Sequence, residues 1–548
     1  MRKETGKRRV LAFCLAAMLL VVGLTAGCGA SGGTGTGADQ TTAAAAGTAG
    51  NGNAEATTSA VASTAAAEAA TNAKNDREMV VGVIKVNGTF DPYSSAYGSD
   101  DFASKQVYDS LVMRDDKGKI APYLAESWEM SDGGKVITFK LRQGVKFTNG
   151  AEFTAEDAQF NIEKARETPT TEWAMSGVEA CEVVDAYTLK VTLKAVDMSF
   201  FEKLAWMNFV NKAYYLEKGD QYGLTVENIV GTGPYIVSEW KPGEMALLTA
   251  NEGYFLGSPS IKKARYKTIS DANAAVIALQ TGEINMYNVD VPSVSIDALS
   301  ASSEVTVTSF PSYVFMDILL NCKDGLFADL KLRQAVAYGV DREKMLQVGT
   351  EGHGEIVDYP GGPDYIGNPN IKVFNAMDQE KAKQLVEEAG AAGAPITIKT
   401  QDTDPWPKLA TALQDDLNKI GFDAKVELLD TNGYGQEIWT NLNYEIAISR
   451  YWSGTKEMAE LMALLETDNP MNFSRYTNPA ADPLIREAAG LSDEAARKGL
   501  YEQAVKLVMP DVPLVPLYYS YGSRAYTSDL TIDPGWVEYD KVFYYSWK

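Results

Sequence analysis

Few side chains in this sequence could carry out catalysis, and their spacing does not match a hydrolase motif. The chain has one histidine, His353, so a zinc-binding His-Glu-x-x-His pair is excluded, and no Gly-x-Ser-x-Gly nucleophile motif accompanies it. One histidine is also too few for a transition-metal site, so we expect neither a metal nor a cofactor. Paired carboxylates of a glycosidase stay open, because such pairs are set by distance in space. The sequence therefore predicts a binding protein and no enzyme, with an extracellular carbohydrate-active hydrolase as the alternative.

Cys28 is the cysteine whose surroundings indicate a covalent modification. Residues 1–10 are rich in Lys and Arg, residues 10–24 are apolar, and the run ends in Leu24-Thr25-Ala26-Gly27-Cys28. This pattern is typical of an export signal at 1–27, and its end resembles a bacterial lipobox, in which the cysteine thiol takes a diacylglyceryl group. We therefore expect Cys28 to be the lipid-anchored N-terminus of an extracytoplasmic protein. An uncleaved membrane anchor and ordinary secretion are the alternatives.

The other cysteines indicate no disulfide framework. Cys14 lies inside the signal, which leaves Cys181 and Cys322 in the body of the protein. Two cysteines are too few for a framework even in an oxidising compartment. We expect two separate buried thiols, although spacing alone does not exclude that they pair.

Length and charge restrict the architecture and the partners. A chain of 548 residues is too long for one hydrophobic core, so two or three lobes are expected. The net charge is −23, and removal of the basic signal makes the mature protein more acidic still. We therefore expect neither nucleic acid nor an anionic lipid surface to be a partner. The acidity indicates solubility outside the cell or a preference for cationic ligands.

Residues 28–76 are predicted to be a disordered tether, because Ala, Thr, Gly and Ser dominate this segment and it contains no aromatic residue. The folded body begins at Arg77 with a β-branched run that predicts a buried strand. Ile137, Phe139 and Leu141 alternate as in a strand with one buried face.

Helix signals alternate with these strand signals. Thr154 and Asp157 have capping-box spacing, and Asp329 can cap a further helix. Leu409, Leu413, Leu417 and Ile420 form one apolar helical stripe. The sequence is therefore predicted to be an α/β protein.

Five segments, in this order, resemble the characteristic blocks of the family 5 bacterial extracellular solute-binding proteins, the peptide-binding and nickel-binding lipoproteins of ABC importers. The blocks are LAESWEMSDGGKVITFKLRQGVKFTNGAEFTAEDAQF (124–160), GTGPYIVSEWKPGE (231–244), ALQTGEINM (278–286), LKLRQAVAYGVDREKM (330–345) and LYEQAVKLVMPDVPLVPLYY (500–519). The resemblance covers essentially all of residues 77–548.

The resemblance implies a two-lobed clamp of the periplasmic-binding-protein type II with an extra inserted domain. Lobe I is expected at 77–111, 205–293 and 510–548, the inserted domain at 112–204, and lobe II at 294–509. Enclosure between lobes excludes water, so a few polar and aromatic groups can hold a hydrophilic solute.

The resemblance also implies a function. The chain is expected to capture a small solute, most simply an oligopeptide, and to deliver it as a monomer to the permease subunits of an importer. A sugar, a modified peptide or a nickel chelate is an alternative ligand, and a ligand-binding sensor is an alternative role.

Residues 444–457 match the stretch that enters the ligand cavity in the peptide-binding members. The family's aspartate, which holds a peptide's α-amino group, falls on Gly454 here. The usual clamp is therefore absent unless Glu457 or another acid replaces it. Arg450, Tyr451 and Trp452 are candidate contacts, because aromatic faces and a forked guanidinium suit a flat or carboxylate-bearing ligand.

Four further ligand contacts are predicted on loops. Asp402 and Trp406 precede a helix at a position that the family turns towards the ligand. Tyr97 follows the first strand, and Tyr434 precedes another helix. Packing within the lobe core is the competing interpretation for the aromatic candidates.

Overall fold

The structure is a computed structural model that describes residues 77–94, 102–374, 376–533, 535 and 541–548. The predicted signal at 1–27, Cys28, the tether to residue 76 and Tyr97 lie outside the described residues. Within the described ranges, no helix is both long enough and apolar enough to cross a bilayer.

Strands and helices alternate along the chain, as the sequence predicts. The strands are β1 (Glu78–Val83), β2 (Val112–Arg114), β3 (Ile120–Pro122), β4 (Ala125–Ser131), β5 (Val136–Leu141), β6 (Val178–Asp185), β7 (Thr188–Leu193), β8 (Tyr235–Lys241), β9 (Met245–Ala250), β10 (Lys263–Thr268), β11 (Met286–Tyr287), β12 (Val305–Leu320), β13 (Gly354–Ile356), β14 (Pro395–Gln401), β15 (Asp423–Leu429), β16 (Ile446–Trp452), β17 (Leu514–Thr527), β18 (Leu530–Thr531) and β19 (Ser546–Trp547). The helices are α1 (Ser104–Val107), α2 (Ala155–Glu167), α3 (Glu172–Met175), α4 (Phe200–Trp206), α5 (Lys212–Lys218), α6 (Ala272–Gln280), α7 (Ser293–Ser300), α8 (Leu330–Gly339), α9 (Arg342–Thr350), α10 (Gln379–Glu388), α11 (Trp406–Lys419), α12 (Thr431–Tyr434), α13 (Met458–Met462), α14 (Asp482–Ala489) and α15 (Glu494–Val508).

Local rules account for several of these elements. The predicted capping box at the start of α2 is confirmed, since the Thr154 N–H donates to the Asp157 carboxylate at 3.0 Å. The Asp329 carboxylate accepts a hydrogen bond from the Lys331 N–H at 2.8 Å and caps α8, as expected. All four residues of the α11 stripe are fully buried, which confirms its predicted core face.

A mixed eleven-stranded sheet connects the two halves of the molecule. Its order is β15-β14-β16-β12-β17-β11-β1-β10-β9-β8, and β13 pairs with β17. A separate four-stranded sheet, β4-β5-β7-β6, lies in the inserted domain, where Ile137, Phe139 and Leu141 all face the core as predicted.

The long antiparallel strands β12 and β17 run through both halves. β12 pairs with β17 along most of its length, but the register shifts between Pro311 and Phe315. On one side of the shift, β16 pairs with β12 from residue 314 onward. On the other side, β11 pairs with β17 at Ala525 and Tyr526. A second register shift lies between Met316 and Asp317, so the irregular part of the ladder separates the half of the sheet that contains β16 from the half that contains β11. The lobe boundaries given above stay predictions.

The hydrophobic cores follow the same division. One large cluster joins lobe I and the inserted domain, and includes Val81, Phe139 and Leu248. Two other clusters lie in the half that contains β14 and β16, one around Ile318 and Leu409 and one around Tyr451 and Met458, and a smaller cluster joins Leu279, Leu299 and Ala525. The inserted domain therefore shares its core with lobe I and not with lobe II.

Cys181 and Cys322 are separate free thiols, as expected. Cys181 lies in β6 and is buried, whereas Cys322 follows β12 and is partly buried. Burial raises the pKa of Cys181 to about 12 and that of Cys322 to about 11, so both thiols stay protonated at neutral pH.

Gly231 tests the packing between β8 and α1. A Cβ atom at this position would lie 2.0 Å from the carbonyl oxygen of Val107, a backbone atom that cannot rotate away. We expect Gly231→Ala to lower the free energy of unfolding by about 2 kcal/mol or more. Gly499→Ala is the matched control, because Gly499 lies inside α15 with open space around its Cα. This control should raise stability by about 0.5–1 kcal/mol. Equal denaturation midpoints for the two variants would contradict the packing described.

Candidate functional site

The candidate site is built at the end of β16 and in the loop that follows it, residues 453–457. Successive side chains of a strand point to opposite faces, so Tyr451 and Trp452 have different surroundings. Tyr451 is buried and stacks between Phe315 and Phe473, with ring centroids 6.2 and 6.1 Å away. Trp452 is 43% exposed. Of this pair, Trp452 is the side chain that can meet a ligand without a rearrangement of the core.

The Trp452 indole and the carboxylate of Glu460 both lie close to Gly454. A Cβ atom at Gly454 would lie 3.3 Å from Cζ3 of Trp452 and 3.6 Å from Oε1 of Glu460. An exposed aromatic side chain and a carboxylate therefore lie next to the same glycine. Such a pair can hold an ammonium group, by cation–π attraction and by a charge-assisted hydrogen bond.

Glu460 is held in place by the loop. Its Oε2 atom accepts hydrogen bonds from the Ser453 hydroxyl at 2.5 Å and from the Thr455 N–H at 3.2 Å. Sequence reasoning missed Glu460, because it lies six residues beyond Gly454, in the first turn of α13. An acid in a first helical turn is common, so its position gave no specific signal.

Glu457, the acid considered as a replacement for the family's aspartate, is 2% exposed and forms an ion pair with Arg497 of α15. Burial raises the pKa of Glu457, and the Arg497 guanidinium opposes this shift. Its charge is balanced within lobe II, so Glu460 is better placed to meet a cationic ligand group.

Three of the predicted residues form one cluster on lobe II. The Arg450 guanidinium lies 6.0 Å from the Trp406 ring centroid, and Trp406 lies 6.4 Å from Tyr434. The Tyr434 hydroxyl donates to the Ile448 carbonyl at 2.7 Å. Trp406 and Tyr434 are buried, whereas Arg450 is half-buried. Burial lowers the pKa of Arg450, but an arginine stays charged at neutral pH.

Asp402 is exposed in the loop after β14, where its N–H donates to the Leu429 carbonyl at 2.9 Å. His353 lies on another loop, with its Nε2 atom 3.7 Å from the Asp297 carboxylate. In the ranges that the structure describes, no group of three or more His, Cys, Asp or Glu side chains is arranged to hold a metal ion.

Asp317 is a fully buried carboxyl beneath the site. It lies on β12 opposite Ser449 of β16, and burial raises its pKa well above the ordinary value, against a smaller opposite effect of the Ser449 hydroxyl. Ionisation of this group inside the lobe costs free energy, because the charged form loses its hydration.

Comparisons with known proteins agree with this geometry. The profile of the family described as bacterial extracellular solute-binding proteins, family 5 Middle, matches residues 119–473. The oligopeptide-binding protein AppA of Bacillus subtilis is 27% identical over 492 residues, which cover 83% of this chain and 88% of AppA. The probable D,D-dipeptide-binding periplasmic protein DdpA of Escherichia coli K12 is 27% identical over 457 residues, which cover 80% of this chain and 88% of DdpA.

A solved structure confirms the two-lobed α/β fold that the sequence blocks predict. DppA of Helicobacter pylori, in complex with the peptide STSA, superposes with a TM-score of 0.68 at 25% identity. The match covers 86% of this chain and 98% of that chain.

Asp317→Asn tests the buried carboxyl. Because burial raises the folded-state pKa of Asp317, folding favours the protonated carboxyl. The stability that protonated Asp317 allows is fully present below the unfolded-state pKa of about 3.9, and it is lost as the pH rises through the folded-state pKa. We expect the variant to be more stable than the parent at pH 8, by about 1–3 kcal/mol, and to lose less stability between pH 5 and pH 8. Denaturant unfolding at both pH values measures this. Parallel pH profiles for parent and variant would contradict it.

Proposed function

The chain belongs to family 5 of the bacterial extracellular solute-binding proteins, and on that premise we propose that it captures an oligopeptide-like solute between its lobes for an ABC importer. Family 5 members are extracytoplasmic binding proteins and not enzymes. In the proposed cycle, the solute is enclosed and then released unaltered to the permease subunits. Ligand binding favours the closed form, and preferential docking of that form makes transport efficient.

The observation that carries the peptide assignment is that Trp452 and Glu460 both lie next to the position that a side chain at Gly454 would occupy. A peptide presents an ammonium group at its N-terminus, and this pair offers it an aromatic face and a carboxylate. Relatives named for oligopeptides and dipeptides, and a structural neighbour in complex with a peptide, support the same ligand class.

The remaining predicted contacts complete the proposed site. Arg450 is half-buried on the same strand as Trp452, and a guanidinium suits a carboxylate of the ligand. The Trp406 ring contacts the Arg450 guanidinium, and Tyr434 packs against Trp406. Asp402 is exposed on the neighbouring loop. Tyr97 is proposed as the lobe I contact.

We propose further that the protein acts as a monomer anchored to the bacterial cell membrane through a lipid on Cys28.

Calorimetry with tetra-alanine and its N-acetylated form tests the ammonium site. We expect the parent to bind the free-amine peptide more tightly, and Glu460→Gln or Trp452→Ala to weaken this binding by about tenfold to a hundredfold. Glu460→Gln should also remove most of the preference over the acetylated form, because the carboxylate no longer pairs with a positive charge. Glu387→Gln, an exposed acid on α10, is the matched control and should bind like the parent.

Two outcomes would contradict the proposal. Equal affinities for the free and acetylated peptides in the parent would show that no ammonium group is recognised. Cleaved peptide in the same incubation, measured by mass spectrometry, would contradict release of the solute unaltered. Mass spectrometry of solutes that co-purify with the mature protein identifies the natural ligand directly.

Cys28→Ala tests the anchor. The variant should lose detergent-phase partitioning, because the acylated thiol is absent, whereas Cys14→Ala, inside the signal, should partition like the parent. Intact-mass measurement of the N-terminal peptide checks the modification, and an unmodified Cys28 in the parent would show that the protein is not lipidated.

A further inference from the structure

Arg114 connects the inserted domain to lobe II. It lies at the end of β2, where its Nη1 atom donates to the Gly118 carbonyl at 2.7 Å and its Nη2 atom lies 2.5 Å from the Glu202 carboxylate. The same Nη2 atom donates to the Thr455 carbonyl at 3.3 Å. Because Thr455 is in the loop 453–457, this bond joins two parts of the molecule that have separate hydrophobic cores.

The Arg114–Glu202 pair is almost completely removed from water, with side chains 6% and 2% exposed. Burial raises the pKa of Glu202 to about 7, opposed by Arg114. The other charged groups that act on it all belong to lobe II: Glu457 and Glu460 raise this pKa, and Lys456 lowers it. The surroundings of Glu202 are therefore set partly by the opposite lobe.

Loop 453–457 is held at several points. Thr455 is fully buried, and Lys456 is 4% exposed and pairs with Asp364 at 2.8 Å. Glu457 pairs with Arg497. These pairs anchor the loop within lobe II, whereas the bond from Arg114 comes from the inserted domain. Since Glu460 is hydrogen-bonded to Ser453 and Thr455, the loop also carries the proposed ammonium site.

Separation of the lobes would break the bond to Thr455 and expose the Arg114–Glu202 pair to water. The lost bond has a charged donor, which makes it stronger than a neutral one. Closure therefore restores a charge-assisted hydrogen bond and, at the same time, dehydrates a carboxylate.

We propose that Arg114 is a positioning residue for closure, whose guanidinium holds the inserted domain against loop 453–457 and so keeps the clamp shut over the site. The inference rests on the clamp motion of the proposed function. Arg114 acts on the loop backbone, and its effect on the ligand is indirect, through Thr455 and Glu460.

Hydrogen exchange of the ligand-free mature protein measures this closure without knowledge of the solute. The double variant Arg114→Met and Glu202→Met removes both charges, so neither partner is left buried alone. In this variant, the amides of loop 453–457 should exchange about tenfold faster or more. The matched control is Arg265→Met combined with Glu78→Met. That pair has a 2.5 Å contact between β10 and β1 within lobe I, and its removal should leave loop exchange as in the parent.

Glu202→Gln gives a readout that a purely structural role would not change. In the closed form, the pKa of Glu202 is raised above its ordinary value near 4.5, so closure takes up a proton. Closure therefore becomes more favourable as the pH falls through about 7, and less favourable as the pH rises through about 7. Loop protection in the parent, corrected for intrinsic exchange, should therefore be higher at pH 6 than at pH 8. In Glu202→Gln, this difference should largely disappear.

Two results would overturn the inference: unchanged exchange of loop 453–457 in the double methionine variant, or a pH dependence in Glu202→Gln equal to that of the parent. Tetra-alanine affinity, measured in parallel, separates this from the proposed function. If the parent binds the peptide and the variants keep their loop protection, only the closure role is refuted. If the parent binds no peptide, the proposed function is contradicted.

Discussion

Pairing between β12 and β17 is the constraint on which the other features depend. The two strands run antiparallel through both halves of the sheet, and backbone hydrogen bonds on each side of the register shift fix each half. Between Pro311 and Phe315 the ladder is interrupted, so this short stretch has fewer backbone bonds between the strands than the segments on either side. Separate cores on the two sides allow each lobe to stay rigid while their relative orientation changes.

Charge burial is concentrated where the inserted domain meets lobe II. Three ion pairs surround loop 453–457: Arg114 with Glu202, Lys456 with Asp364, and Arg497 with Glu457. Burial of a charge costs several kcal/mol unless a partner and hydrogen bonds compensate it. A surface that alternates between hydrated and enclosed states therefore needs paired charges, whereas an apolar surface there would favour permanent association.

The acid available to a ligand illustrates how a site can keep its chemistry while its residues change. At Gly454 there is no side chain, and the space beside it is occupied by the Trp452 indole and the Glu460 carboxylate. Glu457 is nearer in sequence, but its ion pair with Arg497 neutralises it.

The local elements and the family can be predicted from the sequence alone. The Thr154–Asp157 capping box and the Leu409 stripe depend on residues a few positions apart, and the ordered blocks identify the two-lobed fold. The sequence could not determine that Tyr451 is buried while Trp452 is exposed, or that Glu460 approaches Gly454. Nor could it place Arg114 against Thr455, 341 residues away. These contacts follow from the tertiary structure. Capping and periodicity act over one or two turns, whereas burial and charge pairing depend on distances set by the packing of whole lobes.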